Sequence, residues 1–129
     1  MKFVNRWSLM RNTTTENIAE HSLNVSMIAH CLALIENKFY GGQYDVFKIG
    51  MMGVYHETSE VITGDLPTPI KYFSKEMRDS YKSVEKIAND TLLATLPEEL
   101  VSDFDELINA NEEEYRLVKY ADKLTAYIK

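Results

Sequence analysis

Cysteine is nearly missing from this sequence: Cys31 stands alone among 129 residues, so no disulfide can form within the chain. That usage fits a reducing compartment, and a cytoplasmic location is expected. The place of Cys31 inside an apolar helical pattern predicts a small buried hydrophobe. Positive charge is also in deficit, with 14 lysines and arginines against 20 aspartates and glutamates and a formal net charge of −6. Such a chain is repelled by the phosphates of a nucleic-acid polymer and by an anionic membrane surface, so neither is an expected partner. A small anionic substrate is compatible with this balance if a metal and a few cations meet it locally. Long hydrophobic runs are lacking as well. Residues 1–7 contain no apolar leader core, and the greasiest stretch, 27–35, is short and broken by His30, so export and membrane insertion are not expected.

What is present is enough apolar material, 45% of 129 residues, for one substantial core, and a single domain over 1–129 is expected. Its pattern is helical throughout. Thr13 to Thr15 offer N-caps for a first helix with Ile18, Val25, Ile28, Leu32 and Ile35 at helical spacing, ended by Gly41-Gly42. A second helix is predicted from about Asp45 to Ile62, carrying Val46, Ile49, Met52 or Gly53, and Val61. Gly64-Asp65 stops it, and two of the three prolines make 64–69 a loop. A third helix runs from about Ser74 to Ala94, a fourth begins at Pro97, and a fifth spans about Glu112 to Lys129, its acidic start suiting a helix N-terminus. No strand pattern, repeat or interdomain linker competes, so an all-α bundle of about five helices is expected. The fifth helix is still periodic at its last residue, with Leu117, Ala121, Leu124 and Ile128 on one face, so the chain is expected to be cut short of its natural end.

Only three histidines occur, so the position of each matters. His21 falls on the inward stripe of Ile18, Val25 and Ile28; alone it would read as a hydrogen-bonded core residue. On the second helix Val46, Ile49, Gly53, His56 and Glu60 share a face, with Glu57 about 100° round from His56. One apolar face therefore ends in polar groups. Burying an imidazole and two carboxylates is costly unless they bind a cation or one another; the other solution is a solvent-exposed acidic helix end. The spacing resembles the zincin motif His-Glu-x-x-His, but Glu60 stands where that motif needs a second histidine, which disfavours a zinc protease. Asp122, next to the inward face of the fifth helix, would alone be a surface charge or a salt-bridge partner. Together with His21, His56 and Glu57 it makes a mixed nitrogen and oxygen shell, suited to Mn, Fe, Co, Ni or Zn and ill suited to Mg or Ca. His30 lies roughly opposite His21 by helical angle and is assigned no chemistry.

A histidine on one helix, a His-acid pair on the next and an aspartate on a late helix follow the order of metal ligands in the HD-domain phosphohydrolases. The local wording is narrower. Arg6-Trp7, the runs 16–22, 55–60 and 64–71, and Lys119-Tyr120-Ala121-Asp122-Lys123-Leu124 together resemble the bacterial 5′-deoxynucleotidase family, in the right order across nearly the whole chain. The Gly64-Asp65-Leu66-Pro67-Thr68-Pro69 loop is the most specific of these blocks. The resemblance implies an HD-type fold, a homodimer, and release of orthophosphate from deoxyribonucleoside 5′-monophosphates. It also implies one divalent transition metal on His21, His56, Glu57 and Asp122. Two departures stand out. Glu57 occupies a position where the family normally carries aspartate, and family members usually continue through further helices beyond the Ala-Asp-Lys-Leu segment.

On that reading Glu60, one helical turn from His56, orients the attacking water or accepts its proton; the alternative is a carboxylate that steadies His56 or a cation. Arg6 offers a planar fork of donors to the phosphate, and Trp7 walls the sugar against a ribose 2′-hydroxyl. Asp65 and Thr68 hydrogen-bond the sugar or leaving oxygen, while Leu66 and Pro67 shape the pocket; an N-cap and turn built from the same residues is the structural alternative. Lys71 reads as a solvated lysine, with a phosphate contact as the alternative. The rival functions are a nucleotide-binding relic weakened by Glu57, a purely structural dimerisation module, and an HD phosphodiesterase or triphosphohydrolase.

Overall fold

Asn17 opens the first helix: its side-chain oxygen accepts the Glu20 N–H at 2.8 Å, which stabilises a helix start by about 1 kcal/mol. The predicted caps Thr13 to Thr15 lie outside the residues described, 17–63 and 73–128 of a computed structural model. Those residues form helices α1 (Ile18–Phe39), α2 (Val46–Tyr55), α3 (Glu60–Thr63), α4 (Lys75–Leu93), α5 (Glu98–Ile108) and α6 (Glu112–Ile128), with no β-strand among them. The all-α expectation holds. Asp45, Ser74 and Asn111 cap α2, α4 and α6 by accepting the N–H of Lys48, Met77 and Glu114. Pro97 stands at the N-cap of α5. As predicted, α1 stops at the glycine pair: Gly41 has φ +71°, and the Gly42 N–H returns to the Glu36 carbonyl at 3.0 Å.

The core lies where α1, α2 and α6 meet, and it is built from Val25, Ala29 and Ala33 of α1, Ile49 and Met52 of α2, and Leu117, Val118 and Ala121 of α6. The buried stripe of α1 is thus rotated from the one its largest side chains suggest. Ile28 and Leu32 sit at the margin, and Ile35, like Leu124 on α6, is exposed. Small residues let the helices approach closely. The Ser26 hydroxyl donates across to the Gly50 carbonyl at 2.7 Å, and a Cβ on Gly53 would lie 2.7 Å from the Ser26 Cα. The same choice of face corrects the expectation for Cys31, which is exposed. Two residues beyond Ala29, it points about 200° away from the core. By length and composition α1 matches a membrane-crossing helix, yet its inner face packs on α2 and α6 and carries His21 and Ser22, as a core helix does.

One predicted element divides. The single helix expected from Asp45 to Ile62 ends at Tyr55, turns through 56–59 and restarts as α3. The Thr58 hydroxyl and N–H both donate to the Tyr55 carbonyl, at 2.9 and 3.2 Å, and the amides of Glu60, Val61 and Ile62 bond three residues back instead of four. A side-chain donor competing for a helix carbonyl and a tighter pitch together rotate the chain. Glu60 ends up buried and Val61 half exposed. Tyr55 anchors the turn by packing edge-on against Phe104 of α5, ring centroids 5.6 Å apart. Farther along, the Asn37 carboxamide bonds both backbone groups of Tyr44, and Lys48 pairs with Glu114 at 3.0 Å, fixing α2 between α1 and α6.

Candidate metal centre

His21 leaves the first turn of α1, His56 and Glu57 sit in the turn after α2, and Asp122 comes from the middle of α6. Each offers one ligand atom, and these four atoms lie within 4.8 Å of one another. The His21 Nε2 is 2.5 Å from Asp122 Oδ1 and 4.0 Å from Glu57 Oε1; the His56 Nε2 is 3.6 Å from Glu57 Oε1 and 3.9 Å from Asp122 Oδ1. The two imidazole rings are tilted 48° to each other with centroids 5.5 Å apart, so they converge without stacking. The histidine side chains are 1% and 2% exposed and Asp122 is 39% exposed, so the cluster is enclosed except on the side of α6.

The break after Tyr55 decides how His56 is presented. Its Nδ1–H donates to the Gly53 carbonyl at 2.7 Å, which fixes the tautomer and leaves the Nε2 lone pair directed into the cluster. That Nε2 is buried and accepts no hydrogen bond. A buried ring nitrogen left so beside two carboxylates and a second imidazole fits a divalent cation, and the N2O2 donor set is that of a transition metal. The electrostatics agree. Burial alone would raise the Asp122 carboxyl, but the His21 and then the His56 imidazole hold it far below the usual carboxylate range. Burial alone would lower His56, and the carboxylates of Asp122 and Glu57 outweigh it and raise the imidazole. A raised His56 widens the pH range in which a proton competes with a cation for the Nε2, so metal loading weakens as pH falls.

Glu60 is buried on the first turn of α3, four positions after His56. Arg6, Trp7, Asp65, Leu66, Pro67, Thr68 and Lys71 lie outside the described residues. His30, assigned no chemistry, stacks on Phe47 at 5.8 Å, away from the cluster. The carbonyl of Gly53 was not singled out from the sequence; its only signal there is its place three residues before a histidine.

The sequence pattern of the family described as 5′-deoxynucleotidase YfbR-like matches residues 1–129, the whole chain. The 5′-deoxynucleotidases YfbR of Salmonella paratyphi B and Salmonella newport are each 52% identical to it over 132 residues. That alignment takes in all of this chain and 66% of each relative, so the chain spans a little under two thirds of their length. Among solved structures, an HD-domain phosphohydrolase from Listeria innocua superposes with a TM-score of 0.81 at 22% identity, over 95% of this chain and 60% of that one. A cyanophage S-2L HD phosphohydrolase, bound to dA and one catalytic Zn2+ ion, superposes with a TM-score of 0.68 at 24% identity, over 97% and 63%. These two likenesses establish the HD-type fold. With its full length matched on that helical frame, this chain belongs to the 5′-deoxynucleotidase YfbR-like family.

Proposed function

We propose that the chain hydrolyses nucleoside 5′-monophosphates, with preference for deoxyribonucleotides, to nucleoside and orthophosphate, using one divalent transition metal held by His21, His56, Glu57 and Asp122. The observation that carries this reading is the four-residue cluster itself, with the His56 Nε2 buried and accepting no hydrogen bond. A bound ion of this kind supplies Lewis acidity at a phosphate oxygen and acidifies a water. The rest falls to the protein. Glu60 takes the proton of the attacking water, Asp65 delivers a proton to the departing O5′ as the P–O5′ bond breaks, and Thr68 hydrogen-bonds the sugar. Arg6 clamps the phosphate in line, and Trp7 excludes a 2′-hydroxyl. Family membership, and the dA seen in the cyanophage HD phosphohydrolase, support the substrate class. The same reading includes a cytoplasmic homodimer without nucleic-acid or membrane partners, in keeping with the acidic charge.

The test is to strip the protein with chelator, reload it separately with Mn, Co, Ni, Zn and Mg, and measure phosphate release from deoxyribonucleoside and ribonucleoside 5′-monophosphates. Turnover with the transition metals, higher for the deoxy substrates, is the expected result. Metal bound by elemental analysis but no turnover would sink the hydrolase reading in favour of a nucleotide-binding protein. Cleavage of diesters or triphosphates in preference would reassign the substrate.

Glu57 gives a further prediction. Its Oε1 stays within 4.0 Å of both imidazoles despite the extra methylene. Glu57→Asp withdraws that oxygen, so the metal giving the fastest turnover should change and metal affinity should move by about tenfold, with KM nearly constant. An unchanged metal ranking and affinity would show that Glu57 does not touch the ion.

A further inference from the structure

A second cleft, enclosing about 220 Å3, opens beside His56. Its walls include Lys82, Lys86 and Asn89 of α4, Asn109 at the end of α5 and Tyr115 of α6. Positions 82, 86 and 89 share one face of α4, so the two ammonium groups stand a single turn apart. Like charges at that spacing repel and weaken a helix. Lys86 reaches Asp90 at 3.5 Å, but both side chains are more than half exposed and such a pair is weak. Glu85 lies on the same wall, so among the described lining residues two lysines against one glutamate leave one positive charge in excess, with Asp90 outside the lining, in a chain whose net charge is −6. The Nδ2 of Asn109 is already committed to Asp105 at 2.8 Å, which leaves Asn89 as the carboxamide donor beside the lysines.

We propose that this cleft binds a phosphate group in addition to the one acted on at the metal cluster, gripped by Lys82, Lys86 and Asn89. Concave shape, paired ammonium groups and an amide donor together suit a compact oxyanion better than a base or a sugar. The gripping groups all come from α4, which supplies none of the four residues of the metal cluster, so a phosphate held by them is bound by a separate set of donors. The anion is therefore either orthophosphate newly released from the cluster or the phosphate of a second nucleotide. In either case its charge lies against the His56 wall and slows the arrival of the next anionic substrate, so that the product restrains the reaction that forms it.

Isothermal titration of orthophosphate tests this on the metal-loaded chain and on the chelator-treated chain, its fold checked by circular dichroism. The variants are Lys82→Gln/Lys86→Gln and, as a charge-preserving control, Lys82→Arg/Lys86→Arg. The metal-loaded wild type should take two phosphates and the glutamine variant one. The chelated wild type should keep the second site, weakened about tenfold by the glutamines and retained with the arginines. Titrating deoxythymidine 5′-monophosphate into the chelated chain separates the sources: lysine-dependent binding at least as tight as that of orthophosphate identifies a nucleotide site, and weaker binding a product site. No phosphate bound by the chelated wild type, or affinity there indifferent to the glutamines, overturns the proposal. Because the chelated arm involves no turnover, a failure of the hydrolase reading would leave its result intact.

Discussion

His56→Ala should lose the bound ion and, with it, about 10³-fold or more of the phosphate release, because the Lewis acid is worth several kcal/mol at the transition state. Two features make this position more sensitive than its neighbours. The imidazole is 2% exposed, so packing holds it in place, and its orientation is fixed from behind by the Gly53 carbonyl. The remaining His21, Glu57 and Asp122 then form an incomplete and more acidic shell. Elemental analysis alongside the activity assay checks the prediction. Stoichiometric metal with turnover within tenfold of wild type would remove His56 from the ligand set, whatever the other three residues do. Circular dichroism on the same sample separates loss of the ion from loss of the fold.

The second large effect is expected far from any charged group. At Gly53 a methyl group would stand 2.7 Å from the Cα of Ser26 and 3.0 Å from its nitrogen, and backbone cannot swing aside as a side chain would. Gly53→Ala must therefore push α1 and α2 apart. Overpacking of this kind costs about 3 kcal/mol, against about 1 kcal/mol gained from the better helix propensity of alanine. The expected net result is a Tm lower by about 10 °C. Activity should fall as well, since α1 carries His21 and the end of α2 carries His56. Gly50, one turn earlier, is the control. Its added Cβ would meet the His30 side chain at 3.5 Å, an ordinary contact, so Gly50→Ala should melt at or above the wild-type temperature. Thermal unfolding of the two variants decides between close approach and a general need for glycine; a Gly53→Ala protein melting with the wild type would refute the first.

The helices could be read from the sequence because a period of three to four residues survives almost any packing. The four cluster residues were legible by their chemistry and by the family resemblance that orders them, since His56 and Glu57 stand in the turn after α2 and not on a helix face. Details that hinge on one atom could not be read. The end of α2 at Tyr55 depends on a single Thr58 hydroxyl reaching back to a carbonyl, and the pattern from Val46 to Val61 is as compatible with an unbroken helix. The true core face of α1 was also hidden. Size ranks Ile28, Leu32 and Ile35 above Ala29 and Ala33, but helices packed as tightly as α1 and α2 bury the small residues at their crossing and leave the larger ones at its rim. Cys31 was misplaced for the same reason. The α4 lysines drew no attention in the sequence because a lysine pair one turn apart is common on solvated helices. It is the approach of α5 and α6 that turns that face into a cleft.

His21 and Asp122 are 101 positions apart, yet their side chains meet. An ion gripped by both would close a loop of nearly the entire described chain, and closing a loop of about 100 residues restricts the unfolded ensemble by about 4.7 kcal/mol on chain-entropy grounds. With one cysteine, the sequence has no covalent way to make such a cross-link. The ion proposed for phosphate chemistry would thus also staple α1 to α6, a fastening that opens and closes with metal supply and not with redox state.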